Sequence, residues 1–231
     1  VWTLTGKASF LYQDKVDFNK SIDWAYNQGI IHKKINADDI VYDFTKPVVK
    51  SITLKAKYAD INPDYDLAYE NNELVFVRLK NNTLKEFAIP ENVEGAQIKR
   101  IKKDAFKDNT SIEKVVIPNS VKAIEDDAFN GDTNLSDITF GTGVKEFGKD
   151  FIKGTKWLSE KQTSDKAVVI NKVLVDAKNL EENAELPADI EKISKYAFAE
   201  NATTKILTIK EGVVEIEGNA FKGNTQIEKI I

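Results

Sequence analysis

Residues 112–129, Ile112-Glu-Lys-Val115-Val116-Ile117-Pro118-Asn-Ser-Val121-Lys-Ala-Ile124-Glu-Asp-Asp-Ala128-Phe129, decide how this chain is read. Val115 and Ile117 alternate with Val116, which is the period of a strand with one buried face. Pro118 then ends the strand, because proline has no N–H to give to a ladder. Val121 and Ile124 supply a second inward-facing segment, and Ala128-Phe129 suits a short helical turn whose small alanine permits close stacking.

Working outward, the same pattern returns. Ala-Phe recurs at Ala105-Phe106, Ala128-Phe129, Ala197-Phe198 and Ala220-Phe221, with a spacing of 23 within each pair of neighbours. Phe151, preceded by Asp150 in place of alanine, falls 22 residues after Phe129 and reads as the third phenylalanine of the series. Ile117, Leu186 and Ile209 each stand 12 residues before a phenylalanine, and Phe140 stands 11 before Phe151. Ile112, Leu135 and Ile227 follow six residues after one. The first unit is stretched, with Phe87-Ala-Ile89-Pro90 far from Phe106 and Glu94–Gln97 as the insertion. A single unit cannot bury its own apolar side, so several must stack into a continuous core. The expectation is about five units of 22–23 residues over 84–231.

The string Ile-Pro-x-x-Val-x-x-Ile-x-x-x-Ala-Phe resembles the BspA-like (treponemal-type) leucine-rich repeat of bacterial surface proteins. The resemblance implies a right-handed, mainly β solenoid with short helical turns. Trp157-Leu158-Ser-Glu-Lys followed by Ala167–Val175 is similar to the extra hairpin that the family carries between repeats, near 157–180, with Asn171-Lys172 as its turn. The family often has cysteine three residues after the phenylalanine. This chain has Asn109, Asp132, Gly154, Asn201 and Asn224 there, and reads as a polar ladder that bonds neighbouring turn backbone. The alternative for that row is coordination of Ca²⁺.

Residues 1–58 lack the repeat. Ser21–Gln28 fits a short helix with Gly29 as its stop, and 41–48 and 51–58 fit two strands. Tyr42-Asp43-Phe44, a turn, then Ile52-Thr53-Leu54-Lys55-Ala56-Lys57-Tyr58 resembles the internalin-type B repeat, which implies a small β-grasp-like α+β domain before the solenoid. Its first half departs from that pattern, since the usual paired glycines are missing. Residues 59–83 read as a linker with turn signals at Asn62-Pro63-Asp64 and Glu70-Asn71-Asn72, then a cap strand Leu74–Leu79 over the end of the solenoid.

The chemistry available is narrow. There is no cysteine, so no disulfide, thiolate metal site or cysteine nucleophile can form. The only histidine, His32, has no nucleophile elbow or base position around it. Asp60-x-Asn62-x-Asp64-x-Asp66 has the odd-position spacing of a calcium loop, but Tyr65 stands where glycine is needed and Asn71 where the bidentate glutamate belongs. It reads as a polar linker. The carboxylate pairs Asp38-Asp39, Asp126-Asp127 and Glu181-Glu182 fall on turns, where charge is usually a solvated face. No catalytic residue, metal or cofactor is expected. The net charge of −4 comes from 33 basic and 37 acidic residues interspersed along the chain, which argues against nucleic acid. No apolar run reaches the roughly 18 residues of a membrane span. The chain opens on Val1 and closes within a repeat at Ile227–Ile231, as a piece of a larger protein would.

The expected binding surface is the concave sheet of the solenoid, through the outward strand positions Glu86, Lys114, Val116, Asp137, Thr139, Glu185 and Thr208. Both resemblances imply a non-enzymatic bacterial cell-surface or secreted protein that adheres, as a monomer, to host matrix or neighbouring-cell proteins. The alternative is a carbohydrate-binding or wall-associated spacer of a larger secreted protein, its glycan site among the aromatics of residues 1–60.

Overall fold

The computed structural model describes residues 62–231, apart from Asn72 and Glu94. The β-grasp-like reading of 1–58, its helix and strands, and His32 lie outside the described residues.

The described chain winds through successive layers, most of which add one short strand to each of two faces. On the first face, β3 (Glu86–Ala88), β6 (Lys114–Val116) and β8 (Asp137–Thr139) pair in parallel. On the second face, β5 (Ala96–Ile101), β7 (Ala123–Ile124) and β9 (Glu146–Phe147) do the same. The alternation seen in sequence explains the burial: Val115, Ile117, Val121 and Ile124 are buried, with Ala128 and Phe129 beneath the turn that closes the layer. Phe106 and Phe129 stack at 4.6 Å between centroids, and Phe198 and Phe221 repeat that geometry at 4.6 Å.

The closing turns are joined layer to layer by backbone hydrogen bonds. Asp104, Phe106 and Asp108 donate to the carbonyls of Asp126, Ala128 and Asn130 at 3.3, 2.7 and 2.9 Å. Asp127, Phe129 and Gly131 donate to Lys149, Phe151 and Lys153 at 2.9, 2.7 and 2.9 Å. These bonds correct the sequence register. Phe129 pairs with Phe151 as Phe106 pairs with Ala128, so Phe151 stands at the alanine position and Ile152 at the phenylalanine position. The backbone agrees: Asp104, Asp127 and Asp150 all have positive φ, as do Asp108, Gly131 and Gly154, at intervals of 23. The third unit is therefore full length, and the apparent 22-residue step came from giving the larger aromatic the aromatic's place.

The same shift moves the polar row. The N–H three residues after the phenylalanine position donates back to that position's carbonyl from Asn109, Asp132, Thr155, Leu180, Asn201 and Asn224. Thr155, not Gly154, belongs to the row. Side-chain bonds to turn backbone join the row at Asp132, whose Oδ1 accepts from Asn109 N of the preceding layer at 2.8 Å, and at three asparagines. Asn109, Asn201 and Asn224 accept, through Oδ1, the backbone N–H groups two and three residues ahead. Asn224 Nδ2 also donates to the carbonyls of Phe198 and Asn201 at 3.1 and 3.0 Å, stitching one layer to the one before. At Thr155 the hydroxyl accepts from Leu158 N at 3.1 Å and caps helix α1 (Lys156–Ser164).

Helix α1 stands where another strand of the first face is due. Residues 160–162 fall 23 after β8, but Glu160-Lys161-Gln162 carry no alternation of apolar side chains and are good helix formers. The expected insert is thus a helix followed by a hairpin, with Trp157 and Leu158 on the helix. Trp157 is half-buried and meets Phe140 edge-on at 5.5 Å. The hairpin pairs β10 (Val168–Ile170) with β11 (Val173–Asp176), and Asn171 and Lys172 both take positive φ, as a two-residue primed turn requires. Asn171 Nδ2 donates to the carbonyls of Gly141 and Val144 at 2.9 and 3.0 Å, which ties the hairpin to the preceding layer. Strand β11 continues in parallel to β13 (Lys192–Ile193) and β15 (Glu215–Ile216), while β12 (Asn183–Glu185), β14 (Ile206–Thr208) and β16 (Lys229–Ile230) form a separate three-stranded sheet.

At the other end, residues given to a linker form a strand. β1 (Tyr65–Glu70) pairs antiparallel with β2 (Glu73–Leu79), and β2 runs parallel to β5. The stretched unit is also explained: β4 (Asn92–Val93) folds back on β5 through Gly95 at φ 80°, so Phe87 precedes its partner Val115 by 28 residues and not 23.

Candidate functional site

The outward positions named from sequence divide into two groups. Glu86, Lys114 and Asp137 form one row straight across the β3-β6-β8 sheet, and Ala88, Val116 and Thr139 form the next. Buried Val115 and Ile138, with half-buried Phe87 between Glu86 and Ala88, hold these rows outward. Glu185 and Thr208 are register partners in the other sheet, β12-β14-β16. The concave sheet expected to run the length of the solenoid is therefore two sheets, because α1 occupies the strand position after β8.

Charge on these rows is largely answered within the fold. Lys114 Nζ lies 3.3 Å from Asp137 Oδ2, and Lys210 Nζ lies 2.6 Å from Glu185 Oε1. Beside them, Lys85 pairs with Glu113 at 2.8 Å and Lys205 with Glu182 at 2.5 Å. The Lys205 hydrogen bond lowers the Glu182 carboxyl from its ordinary value. All are exposed pairs of the kind that set local charge pattern more than stability.

The calcium-loop reading finds no support at its described members. Asp66 is held by Arg78 Nε at 2.7 Å and Lys80 Nζ at 2.8 Å, and the Lys80 hydrogen bond leads in lowering its carboxyl from the ordinary range. Asp64 Oδ1 accepts from Asn81 at 2.7 Å, and Asn62 Oδ1 accepts from Asp64 N at 2.8 Å. Among the described residues no group of three or more His, Cys, Asp or Glu is placed to hold a metal. No described helix is long and apolar enough to cross a membrane.

The structure adds a feature that sequence reasoning missed. Where α1 and the hairpin break the stack, a cleft of about 620 Å³ opens between the Lys149–Thr155 turn, α1, the end of β11 and the Ser194–Glu200 turn. Gln162 Nε2 donates to Asp176 Oδ1 at 3.2 Å across it, and Lys178 N donates to the same oxygen at 3.1 Å. Burial outweighs both bonds and raises the Asp176 carboxyl above its ordinary value. Lys149 Nζ lies 5.7 Å above the Tyr196 ring, and Glu200 pairs with Lys153 and with Lys178. The signal for this break was present in sequence, as the 23-residue register running on through Ile152, Thr155 and Leu158 into a segment without strand alternation.

Stacked layers of one short strand per face, closed by a buried Ala-Phe turn, define a leucine-rich-repeat solenoid. The BspA type leucine-rich repeat region matches over residues 72–181 and 168–231 in six copies, and the chain belongs to that family. Among solved structures it is similar to a T. pallidum leucine-rich repeat protein at 20% identity and TM-score 0.46, covering 74% of this chain and 91% of that one. It is also similar to a leucine-rich repeat protein from Bacteroides capillosus at 18% identity and TM-score 0.39, covering 70% and 99%. A leucine-rich cell surface protein from Faecalibacterium prausnitzii aligns at 13% identity and TM-score 0.27, covering 76% of each chain. No curated protein matches the sequence.

Proposed function

We propose that this is a non-enzymatic bacterial surface or secreted binding protein whose β3-β6-β8 face engages another protein, in the manner of an adhesin. The observation that carries the reading is the pair of outward rows, Glu86–Lys114–Asp137 and Ala88–Val116–Thr139, held in register by a rigid apolar core. Such a row offers mixed charge around an apolar centre, the layout of a modest protein interface more than of a pocket for a small molecule. Membership of the BspA-type family supports placement outside the cell, and with it a host matrix or neighbouring-cell protein as partner. Glu185 and Thr208 belong to a second, separate face on this reading.

The test is biolayer interferometry of the full chain against a panel of purified matrix proteins, beside a glycan array. The expected result is saturable binding to at least one protein that weakens about tenfold in Lys114→Glu/Val116→Asp, as loss of a central contact does. Binding to glycans alone, or protein binding that ignores the double substitution, would contradict the reading and favour a carbohydrate-binding spacer.

A further inference from the structure

We infer that the cleft beside α1 is a docking site for an acidic polypeptide segment, which restores the backbone rungs that the insert removes. This deepens the protein-binding reading by naming a second site and its partner chemistry, and it rests on that reading only for the partner's being a protein. In the first two layers every second N–H of the closing turn donates to a carbonyl of the next layer. The same three positions in the third layer are Asp150, Ile152 and Gly154, and their N–H groups have no acceptor among the described residues. The hairpin recovers one rung further on, where Ala177 N donates to Ala197 O at 2.8 Å. The Lys149–Thr155 turn thus presents a donor edge to a cleft of about 620 Å³, within the range that encloses a ligand.

What fills these rungs elsewhere in the molecule is carbonyl oxygen from alternate residues of a chain lying alongside. A polypeptide supplies that spacing, as in recognition by strand addition. The charge on the walls then selects the sequence. Lys149, Lys153, Lys156, Lys178 and Lys195 line the cleft against Asp150, Asp176 and Glu200. Lys195 has no ion-pair partner among the described residues, and Lys156 pairs only with exposed Glu160 at 3.7 Å. Two cationic groups are therefore free, or nearly so, to meet carboxylates of the incoming segment.

The experiment is ¹⁵N–¹H NMR of the full chain titrated with a blocked peptide of alternating glutamate and serine. The same peptide with lysine for glutamate and a sulfated oligosaccharide serve as comparisons. Saturable downfield shifts of the Asp150, Ile152 and Gly154 amides with the glutamate peptide alone are expected. In Lys156→Glu/Lys195→Glu the affinity should fall about tenfold with the spectrum of the free protein otherwise kept. Equal binding of the lysine peptide, or response of these amides to the oligosaccharide and not to the peptide, would overturn the inference. So would unchanged affinity in the double variant. Failure in this test leaves binding through the Lys114 face standing, and loss of that face leaves this titration unchanged, so the two readings fail separately.

Discussion

Asp132→Asn should raise stability at neutral pH and remove most of its pH dependence between about 4 and 8. Asp132 is buried in the polar row; its Oδ1 accepts from Asn109 N at 2.8 Å, while Oδ2 has no partner among the described residues. Burial pushes its carboxyl up to about 8, the Asn109 hydrogen bond opposes this, and Asp108 adds to it. Among the described residues no cation pairs with it to answer a charge. The folded-state value lies above the unfolded one, so the group costs nothing below about pH 4, where both states bind the proton. As pH rises toward 8 the unfolded chain releases the proton and the folded chain retains it, and stability falls. At pH 7 the loss is on the order of 4 kcal/mol. Asparagine at this position has a place to donate: in the last layer, Asn224 Nδ2 reaches the carbonyls of Phe198 and Asn201, whose counterparts below Asp132 are those of Phe106 and Asn109. Urea denaturation of both proteins across pH 4–8 checks this. Parallel pH profiles would show that Asp132 is not held neutral by the fold.

Phe129→Ala should lower stability by about 3–5 kcal/mol. The ring is fully buried and stacks on Phe106 at 4.6 Å, with a complete layer on either side to keep the vacated space from collapsing. At this size the melting temperature falls by roughly 10 °C. Phe221 is only half-buried, in the outermost described layer, and the same truncation there should cost clearly less. Calorimetry of the two variants reads the difference directly, and equal losses would contradict a core of stacked layers.

Much of this architecture was legible in sequence because stacking demands repetition. Ile89-Pro90, Ile117-Pro118 and Leu186-Pro187 mark the ends of three of the short strands, Val-x-x-Ile marks the second face, and Asn171-Lys172 marks the hairpin turn. Register in the third unit was not legible. Phe151 is the stronger apolar signal, yet Ile152 takes the phenylalanine position; both side chains are buried, and the backbone bonds between layers, with the positive-φ positions, separate the two. Tyr65–Glu70 reads as linker from the turn signals Asn62-Pro63-Asp64 and Glu70-Asn71-Asn72 at its two ends, and it is a strand because Glu73–Leu79 offers a partner edge. Of the seven outward positions, five share a sheet as expected. Glu185 and Thr208 fall on another because α1 ends the first, an outcome that follows from what is absent from Glu160–Gln162.

Amide hydrogen exchange on the free 231-residue chain tests the layered account and its break together. The N–H groups of Asp104, Phe106, Asp108, Asp127, Phe129 and Gly131 each bond the following layer and should be protected. Those of Asp150, Ile152 and Gly154, at the equivalent positions of the third layer, should exchange about a hundredfold faster. Equal protection at all nine would mean that the stack runs on unbroken past Gly154, and would contradict both the 23-residue register and the open edge.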